Sequence, residues 1–374
     1  MQYDALTLDS NIFHHNGFYL EGGMLGQLSQ FREGSAQFVL SEIVLREVHK
    51  YLKIEAKQAK DALGQALKAS SKNAILPIAA FEAVKTAHDA ALTPEESAET
   101  RLETFAAATG VEVVPAHDAD MKELIKRYFK PLPPFEGSGK KKNEFPDAIA
   151  LLTLESWAKA KGKKILAISK DEGWAAFAKD SDYIDVEPDL ASALQKLQEH
   201  AEQAKAHVAT LLKLMDAGKQ PDLLQQVVDG VADAVGELEV EPDATSAFHF
   251  ETEFATMTYR DVSFLQSDGI YDFNIVQTGK DKIVAKVGLS IKAEAQADFS
   301  LAVWDSIDKD YVPMGSTSAE TEVDFEAAAL ITFEGDFSAA PPEVDVAELE
   351  LVDAIKSVDF GSVSPDYSDD RYDE

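Results

Sequence analysis

The chain has 374 residues, enough for two domains, and its 45% hydrophobic content is typical of a folded protein rather than a disordered one. It contains no cysteine, which excludes disulfides, thiolate metal sites and a cysteine nucleophile. No apolar run approaches the roughly 20 residues of a membrane span, and no basic leader precedes the first apolar residues. We therefore expect a cytoplasmic protein with no membrane partner.

The net charge of −32 is distributed unevenly along the chain. Residues 1–200 carry 24 basic and 30 acidic side chains, whereas residues 201–374 carry 11 basic and 37 acidic ones, a net of −26. Against this trend, residues 121–170 contain 12 basic and 5 acidic side chains, a local net of +7. A basic segment on an acidic chain favours a nucleic-acid backbone as ligand, although a solvated lysine-rich helix surface would give the same charge.

The first 190 residues alternate short apolar strands with helices. The pattern predicts strands over 5–9, 38–40, 111–116, 165–169 and 183–186. Ser41 is the expected N-cap of the helix after the second strand, and Gly162 is the expected end of the helix that begins FPDAIALL. Trp157 and Trp174 lie at core positions of their helices. We predict an α/β domain over 1–190, a parallel sheet flanked by helices, with a helical insertion over 54–109 that is interrupted at Pro77 and Thr93–Pro94.

The second half of the chain predicts a different architecture. Residues 191–243 have a helical pattern and are expected to form a linker. From residue 244 the hydrophobic period changes to two, as in KIVAKVGLSI and EVDFEAAALITF, with acidic residues at the alternate positions of the second stretch. This pattern predicts an all-β antiparallel domain over 244–363, with one acidic solvent-facing side, followed by a mobile acidic tail over 364–374.

Four acidic residues lie near the ends of predicted strands or the beginnings of the helices that follow them. Asp9 closes the first strand, Glu47 lies in the second turn of the next helix, Asp147 begins the FPDAIALL helix and Asp171 follows the strand ILAIS. In a parallel sheet such positions share one edge, so the four carboxylates can converge. Crowded carboxylates repel one another unless a cation neutralises them, and oxygen ligands suit Mg²⁺ or Mn²⁺. Such an ion can activate water and stabilise charge on a phosphodiester.

Each acid also has a local explanation. Asp9 could cap the following turn, with Asn11 completing it, and Asp171 could serve the turn SKDEG. Glu47 could be an ordinary exposed helical glutamate, and the helix dipole accounts for a carboxylate at position 147. These explanations do not predict that all four acids share one edge of one sheet.

The motifs around these acids resemble those of a known family. The stretches DSN (9–11), FPDAIA (145–150) and SKDEGW (169–174), together with the helical acid at 47, are similar to the four acidic motifs of PIN domains over about residues 3–190. The resemblance implies a Mg²⁺- or Mn²⁺-dependent nuclease that acts on RNA. It also implies that Asn11 and Ser169 support the site, and that the metal-binding and catalytic acids are Asp9, Glu47, Asp147 and Asp171. The insertion and the acidic second half are outside the PIN pattern.

A loop just before Asp147 carries three consecutive lysines, Lys140, Lys141 and Lys142, which we predict to contact substrate phosphates; as solvated loop residues they need no function. The leading hypothesis is a metal-dependent endoribonuclease. Its β domain would bind a protein partner, self-associate or regulate access, and a toxin or antiviral effector is a setting suggested by analogy. Two alternatives remain open: a non-catalytic PIN-like scaffold for protein or RNA binding, and a small-molecule phosphoesterase.

Overall fold

The computed structural model describes residues 2–135, 144–198, 201–339 and 341–365. The chain divides into two compact units, residues 1–197 and 198–374, here called the first and the second unit. The predicted lysine contacts at 140–142 and most of the predicted tail lie outside the described residues. Within the described part of the chain, no helix is long and apolar enough to cross a membrane.

The first unit contains a five-stranded parallel sheet with the order β3-β2-β1-β4-β5. Its strands are β1 (Ala5–Leu8), β2 (Gln37–Ser41), β3 (Glu112–Val114), β4 (Ile165–Ile168) and β5 (Ile184–Glu187). Strand β1 is central and pairs with β2 and with β4, so that Leu8 lies opposite Ile168. All residues of β1 and β4 are buried, as expected for strands that are covered on both faces. The predicted α/β class of this unit is confirmed.

Helices flank this sheet, and several begin or end where local sequence signals predict. The Ser41 hydroxyl accepts a hydrogen bond from Ile43 N at the start of α3, and Gly162 ends α7 with a φ of 62°. The helices are α1 (Ser10–His15), α2 (Gly23–Gly26), α3 (Glu42–Asn73), α4 (Ile78–Ala90), α5 (Pro94–Thr109), α6 (Met121–Phe129), α7 (Phe145–Lys161), α8 (Glu172–Ala178) and α9 (Leu190–Leu197), with 3₁₀ turns at Gln27–Arg32 and Ala116–Asp118.

The helical insertion begins inside a long helix. Helix α3 has 32 residues and continues without a break from the sheet into the insertion. Thr93 and Glu96 form a reciprocal capping box at the start of α5, and α5 ends at Gly110. Helix α4 has no buried residue, so it packs less tightly than α3 or α5.

The second unit contains two helices and an antiparallel sheet. The helices are α10 (Ala201–Asp216) and α11 (Pro221–Gly236). The strands are β6 (Glu241–Thr245), β7 (His249–Thr252), β8 (Thr256–Phe264), β9 (Gln266–Ser267), β10 (Ile270–Tyr271), β11 (Phe273–Thr278), β12 (Lys282–Asp305), β13 (Asp310–Asp336), β14 (Glu343–Val352) and β15 (Ser357–Ser362). Strands β11 to β14 are hydrogen-bonded in chain order, β7 and β8 pair with β12, and β6 pairs with β15 in parallel. The predicted antiparallel β class of this unit is confirmed.

One core joins the helices and the sheet of the second unit. Val208 and Leu212 of α10, Val227 of α11, and Val287 and Ile331 of the sheet belong to the same buried cluster. The alternating apolar residues of β12 thus lie on one buried face of the sheet, within the same core as the two helices. The helices of 191–243 are divided between the units: α9 lies in the first, and α10 and α11 build the core of the second.

Candidate active site

Four elements bring the predicted acids to one edge of the parallel sheet. Asp9 follows β1 and Asp171 follows β4, which are neighbouring strands. Glu47 lies on α3, the helix that leaves β2, and Asp147 is the third residue of α7. The carboxyl ends of β1 and β4 therefore form the centre of the site, with α3 and α7 contributing the other two acids.

Asp9 is buried, with 4% of its surface exposed, and its carboxylate is held from two sides. The Oδ2 atom accepts hydrogen bonds from Asn11 Nδ2 and from the Ser169 hydroxyl, both at 2.6 Å. Although Asp9 occupies the N-cap position of α1, its side chain forms no capping hydrogen bond. Asn11 and Ser169, the two residues expected to support the site, both contact Asp9.

Ser169 also connects Asp9 to the next acid. Its Oγ accepts a hydrogen bond at 3.0 Å from the backbone N–H of Asp171 while donating to Asp9. Asp171 is exposed, and its Oδ1 accepts hydrogen bonds from the amides of Gly173 and Trp174, at 2.7 and 3.1 Å, which cap α8. The local explanation for Asp171 is correct for this oxygen. The Oδ2 atom has no hydrogen-bond partner in the described part of the chain.

Trp174 connects Asp171 to Asp147. Its indole Nε1 donates a hydrogen bond at 2.9 Å to Asp147 Oδ1, while its backbone N–H caps α8 through Asp171. The side chain is fully buried, as predicted from its core position, but the pattern did not indicate this second role. A buried indole N–H needs an acceptor, which is the signal that could have pointed to Asp147.

The acids act on one another electrostatically. Burial raises the pKa of Asp147 to about 6, and the charges of Asp9, Asp171 and Glu47 add to the increase, while the Trp174 hydrogen bond opposes it. Burial also raises the pKa of Asp9, which the hydrogen bond from Ser169 opposes and the charge of Asp171 reinforces. The other charged groups that act on these two pKa values are acids, so a cation at this edge would relieve the repulsion.

The donor set fits a hydrated hard cation rather than a closed cage of carboxylates. Among the described residues, no three of the four acids bring ligand oxygens within 4.8 Å of one another. Mg²⁺ typically keeps several waters and binds one or two carboxylates directly, so a wider spacing suits it. In addition, Asn11 Oδ1 is buried and has no hydrogen-bond partner among the described residues, which leaves one more oxygen available beside Asp9.

A second group of ligating side chains lies between α3 and α5. His49, Glu95 and Glu99 place one ligand atom each within 4.8 Å of one another. However, Glu95 forms an ion pair with Lys53, and the hydrogen bond from Lys53 lowers the pKa of Glu95. The ammonium of Lys53 already neutralises this carboxylate, so the group has less need of a metal than the sheet edge has.

Comparison with known families identifies the first unit. A family model described as PIN domain matches residues 6–174, from β1 to the first turn of α8, and this range includes all four acids. The first unit is a PIN domain. No curated protein and no solved structure matches the chain significantly.

The PIN domain match leaves the second unit unassigned. It ends before α9 and includes none of the residues of the antiparallel sheet. PIN domains are nuclease-type proteins that generally use divalent metals, which agrees with the oxygen donors at the sheet edge. The roles of the individual side chains of this PIN domain remain predictions.

The hydroxyl of Ser169 offers a direct test of how the PIN domain holds Asp9. We expect Ser169→Ala to destabilise the first unit by about 1–3 kcal/mol, because the buried carboxylate of Asp9 and the amide of Asp171 each lose a hydrogen bond. We also expect Mn²⁺ affinity to fall about 10- to 100-fold, since Asp9 loses an orienting contact. Urea unfolding and calorimetric titration with Mn²⁺ measure the two effects.

Ser181→Ala is the matched control for this variant. Ser181 likewise donates to a carboxylate, that of Glu155, and accepts from an amide two residues later. The control should lose comparable stability and keep its Mn²⁺ affinity. Equal Mn²⁺ affinity in both variants would show that Ser169 has only a structural role.

Proposed function

We propose that the first unit is a divalent-metal-dependent endonuclease that hydrolyses phosphodiester bonds in RNA. The observation that carries the proposal is the convergence of four acids around Asp147, whose pKa rises to about 6 through burial and through the charges of Asp9, Asp171 and Glu47. A folded protein does not gain stability from such repulsion, so a functional cation is the simplest reason for it. The family of the first unit supports the same conclusion.

In this proposal the cation is held by Asp9, Asp147, Asp171 and Glu47. Asn11 and Ser169 orient the carboxylate of Asp9, and Trp174 orients that of Asp147. When bound, Mg²⁺ or Mn²⁺ supplies charge stabilisation for the phosphate and lowers the pKa of a water that it coordinates. A bound cation would lower the raised pKa of Asp147, because it would compensate the charges of the neighbouring acids. Hydrolysis adds water across one P–O bond, so the products are one phosphate end and one hydroxyl end.

The second unit has a different proposed role. Residues 201–374 carry a net charge of −26, which repels a nucleic-acid backbone. We therefore assign RNA contacts to the first unit and propose that the second unit binds a protein partner, self-associates or regulates access.

The proposal is tested on the full chain with end-labelled single-stranded RNA, the same sequence as DNA, and a nitrophenyl phosphate. With Mg²⁺ or Mn²⁺ we expect internal cuts in RNA and none after addition of EDTA. If the protein hydrolyses the nitrophenyl phosphate but leaves the RNA uncut, the result would favour the small-molecule phosphoesterase. RNA binding without cleavage under either metal would favour the non-catalytic scaffold.

A further inference from the structure

The helical insertion contains a groove between α3 and α4 with a volume of about 840 Å³. Leu67 and Phe81 provide apolar lining. The basic side chains of the lining are Lys57, Lys60, Lys68, Lys85 and His88, and the acidic ones are Asp61 and Asp89. Basic groups thus outnumber acidic ones in this groove, although the whole chain has a net charge of −32.

Three of the groove lysines are available for a ligand. Lys57, Lys68 and Lys85 are exposed and form no ion pair with any residue that the structure describes. Lys60 differs, because its ammonium donates hydrogen bonds to the carbonyls of Ala91 and Leu92 and so ties α3 to the end of α4. Lys60 is therefore structural, and the other three provide the free charge.

A glycine, Gly64, lies in the lining of the groove. Gly64 lies in the middle of α3, where glycine costs about 1 kcal/mol relative to alanine. A Cβ atom there would lie only 3.3 Å from Nε2 of His88 on α4. A side chain at this position would therefore need the His88 ring to move by a few tenths of an ångström.

Helix α3 connects the groove rigidly to the predicted active site. At 1.5 Å per residue, Lys57 and Lys68 lie about 15 Å and about 31 Å along the axis from Glu47. At 100° per residue they lie within about 80° of Glu47 around that axis. Tyr51, which is 42% exposed and stacks on Phe18 at 5.6 Å, lies about 40° from Glu47 on the side away from the two lysines. Helix α3 therefore carries one acid of the site and two of the free cations, Lys57 and Lys68.

We propose that the α3–α4 groove binds the phosphate backbone of the single-stranded RNA that is cut at the four acids. This inference rests on the proposed function and extends it to a substrate track about 15 to 30 Å from the cut. Spaced cations suit the backbone of a single strand, whose phosphates are bound by charge.

The test measures binding without cleavage, by fluorescence anisotropy of a labelled single-stranded RNA of about 30 nucleotides, with the full chain in EDTA. The variant carries Lys57→Gln, Lys68→Gln and Lys85→Gln. We expect its affinity to fall at least tenfold. The slope of log K against log salt concentration should become shallower by about 2, since each lost phosphate contact on a single strand contributes about 0.7.

The matched control replaces three exposed lysines outside the groove, with Lys159→Gln, Lys179→Gln and Lys213→Gln. It removes the same charge and should keep most of the affinity and the salt slope. Equal losses in the two triple variants would overturn the groove as a specific track. Displacement of RNA from the native chain by polyglutamate at equal charge concentration would also overturn it, in favour of an acidic protein ligand.

The same proteins separate this inference from the proposed function. If the native chain binds RNA through the three lysines but cuts nothing with Mg²⁺ or Mn²⁺, the track stands and the nuclease proposal fails. If the native chain cuts RNA and the groove variant binds and cuts it equally well, the nuclease stands and the track is overturned.

Discussion

Replacing Asp9 with asparagine is expected to slow RNA cleavage about a thousandfold, equivalent to about 4 kcal/mol of transition-state stabilisation. Asparagine keeps the size of the side chain and an oxygen that can accept from the Ser169 hydroxyl. It removes the charge of the most buried acid of the site, which has 4% of its surface exposed. The measurement is single-turnover cleavage of labelled RNA with saturating Mg²⁺ or Mn²⁺.

Asp180→Asn serves as the control for this variant. Asp180 is an exposed aspartate in the turn after α8. Its replacement by asparagine removes the same charge from the same unit. The control should cut RNA at the native rate. If Asp9→Asn also cuts at the native rate while remaining folded, the four acids are not the catalytic site and the cleavage must be located elsewhere.

The second large effect concerns stability and pH. The pKa of Asp147 is about 6 in the folded protein, against about 3.9 for an unfolded aspartate. As pH rises from 4 to above 6, the unfolded chain releases this proton more readily than the folded one, so folding stability falls. The full loss is about 3 kcal/mol. Asp147→Asn lacks this titration and should be more stable than the native protein near pH 8 in EDTA.

Metal should reverse this ranking. At a thousandfold excess over Kd, Mg²⁺ stabilises a chain that binds it by about 4.1 kcal/mol, which exceeds the loss of about 3 kcal/mol, whereas Asp147→Asn should gain much less. Urea unfolding followed by the fluorescence of Trp157 and Trp174, both buried in the first unit, reports these changes. The difference in unfolding free energy between the native protein and Asp147→Asn in EDTA should change between pH 4.5 and pH 8. An equal difference at the two pH values would contradict the raised pKa of Asp147.

The parts of the fold that follow from local chemistry could be predicted from the sequence. The β1 and β4 strands are short apolar runs, Ser41 offers a capping hydroxyl, and Gly162 permits the positive φ that ends α7. The convergence of Asp9 and Asp171 also follows, because parallel neighbouring strands place their carboxyl ends at one edge. These features need only a few adjacent residues or one topological rule.

Other features depend on side chains that are distant in sequence, and these could not be predicted. The Trp174 indole reaches Asp147 across 27 residues, and no periodicity indicates which acceptor it chooses. The packing of α10 and α11 against the antiparallel sheet is likewise tertiary, and the helical pattern of 191–243 predicts a linker rather than this packing. The distances between the carboxylates depend on how α3 and α7 pack against the sheet, to within about one ångström, which the sequence pattern does not determine.

The pairing of β1 with β4 has a consequence for how the protein is made. Asp9 contacts Ser169 only after the chain has closed a loop of 160 residues. Until then the central strand β1 can pair with β2 but lacks its second neighbour, β4. Such a long closure is slow compared with forming the adjacent hairpin of β12 and β13. During synthesis, therefore, the acids stay apart until β4 has left the ribosome. A nascent or truncated chain that ends before β4 cannot assemble the site.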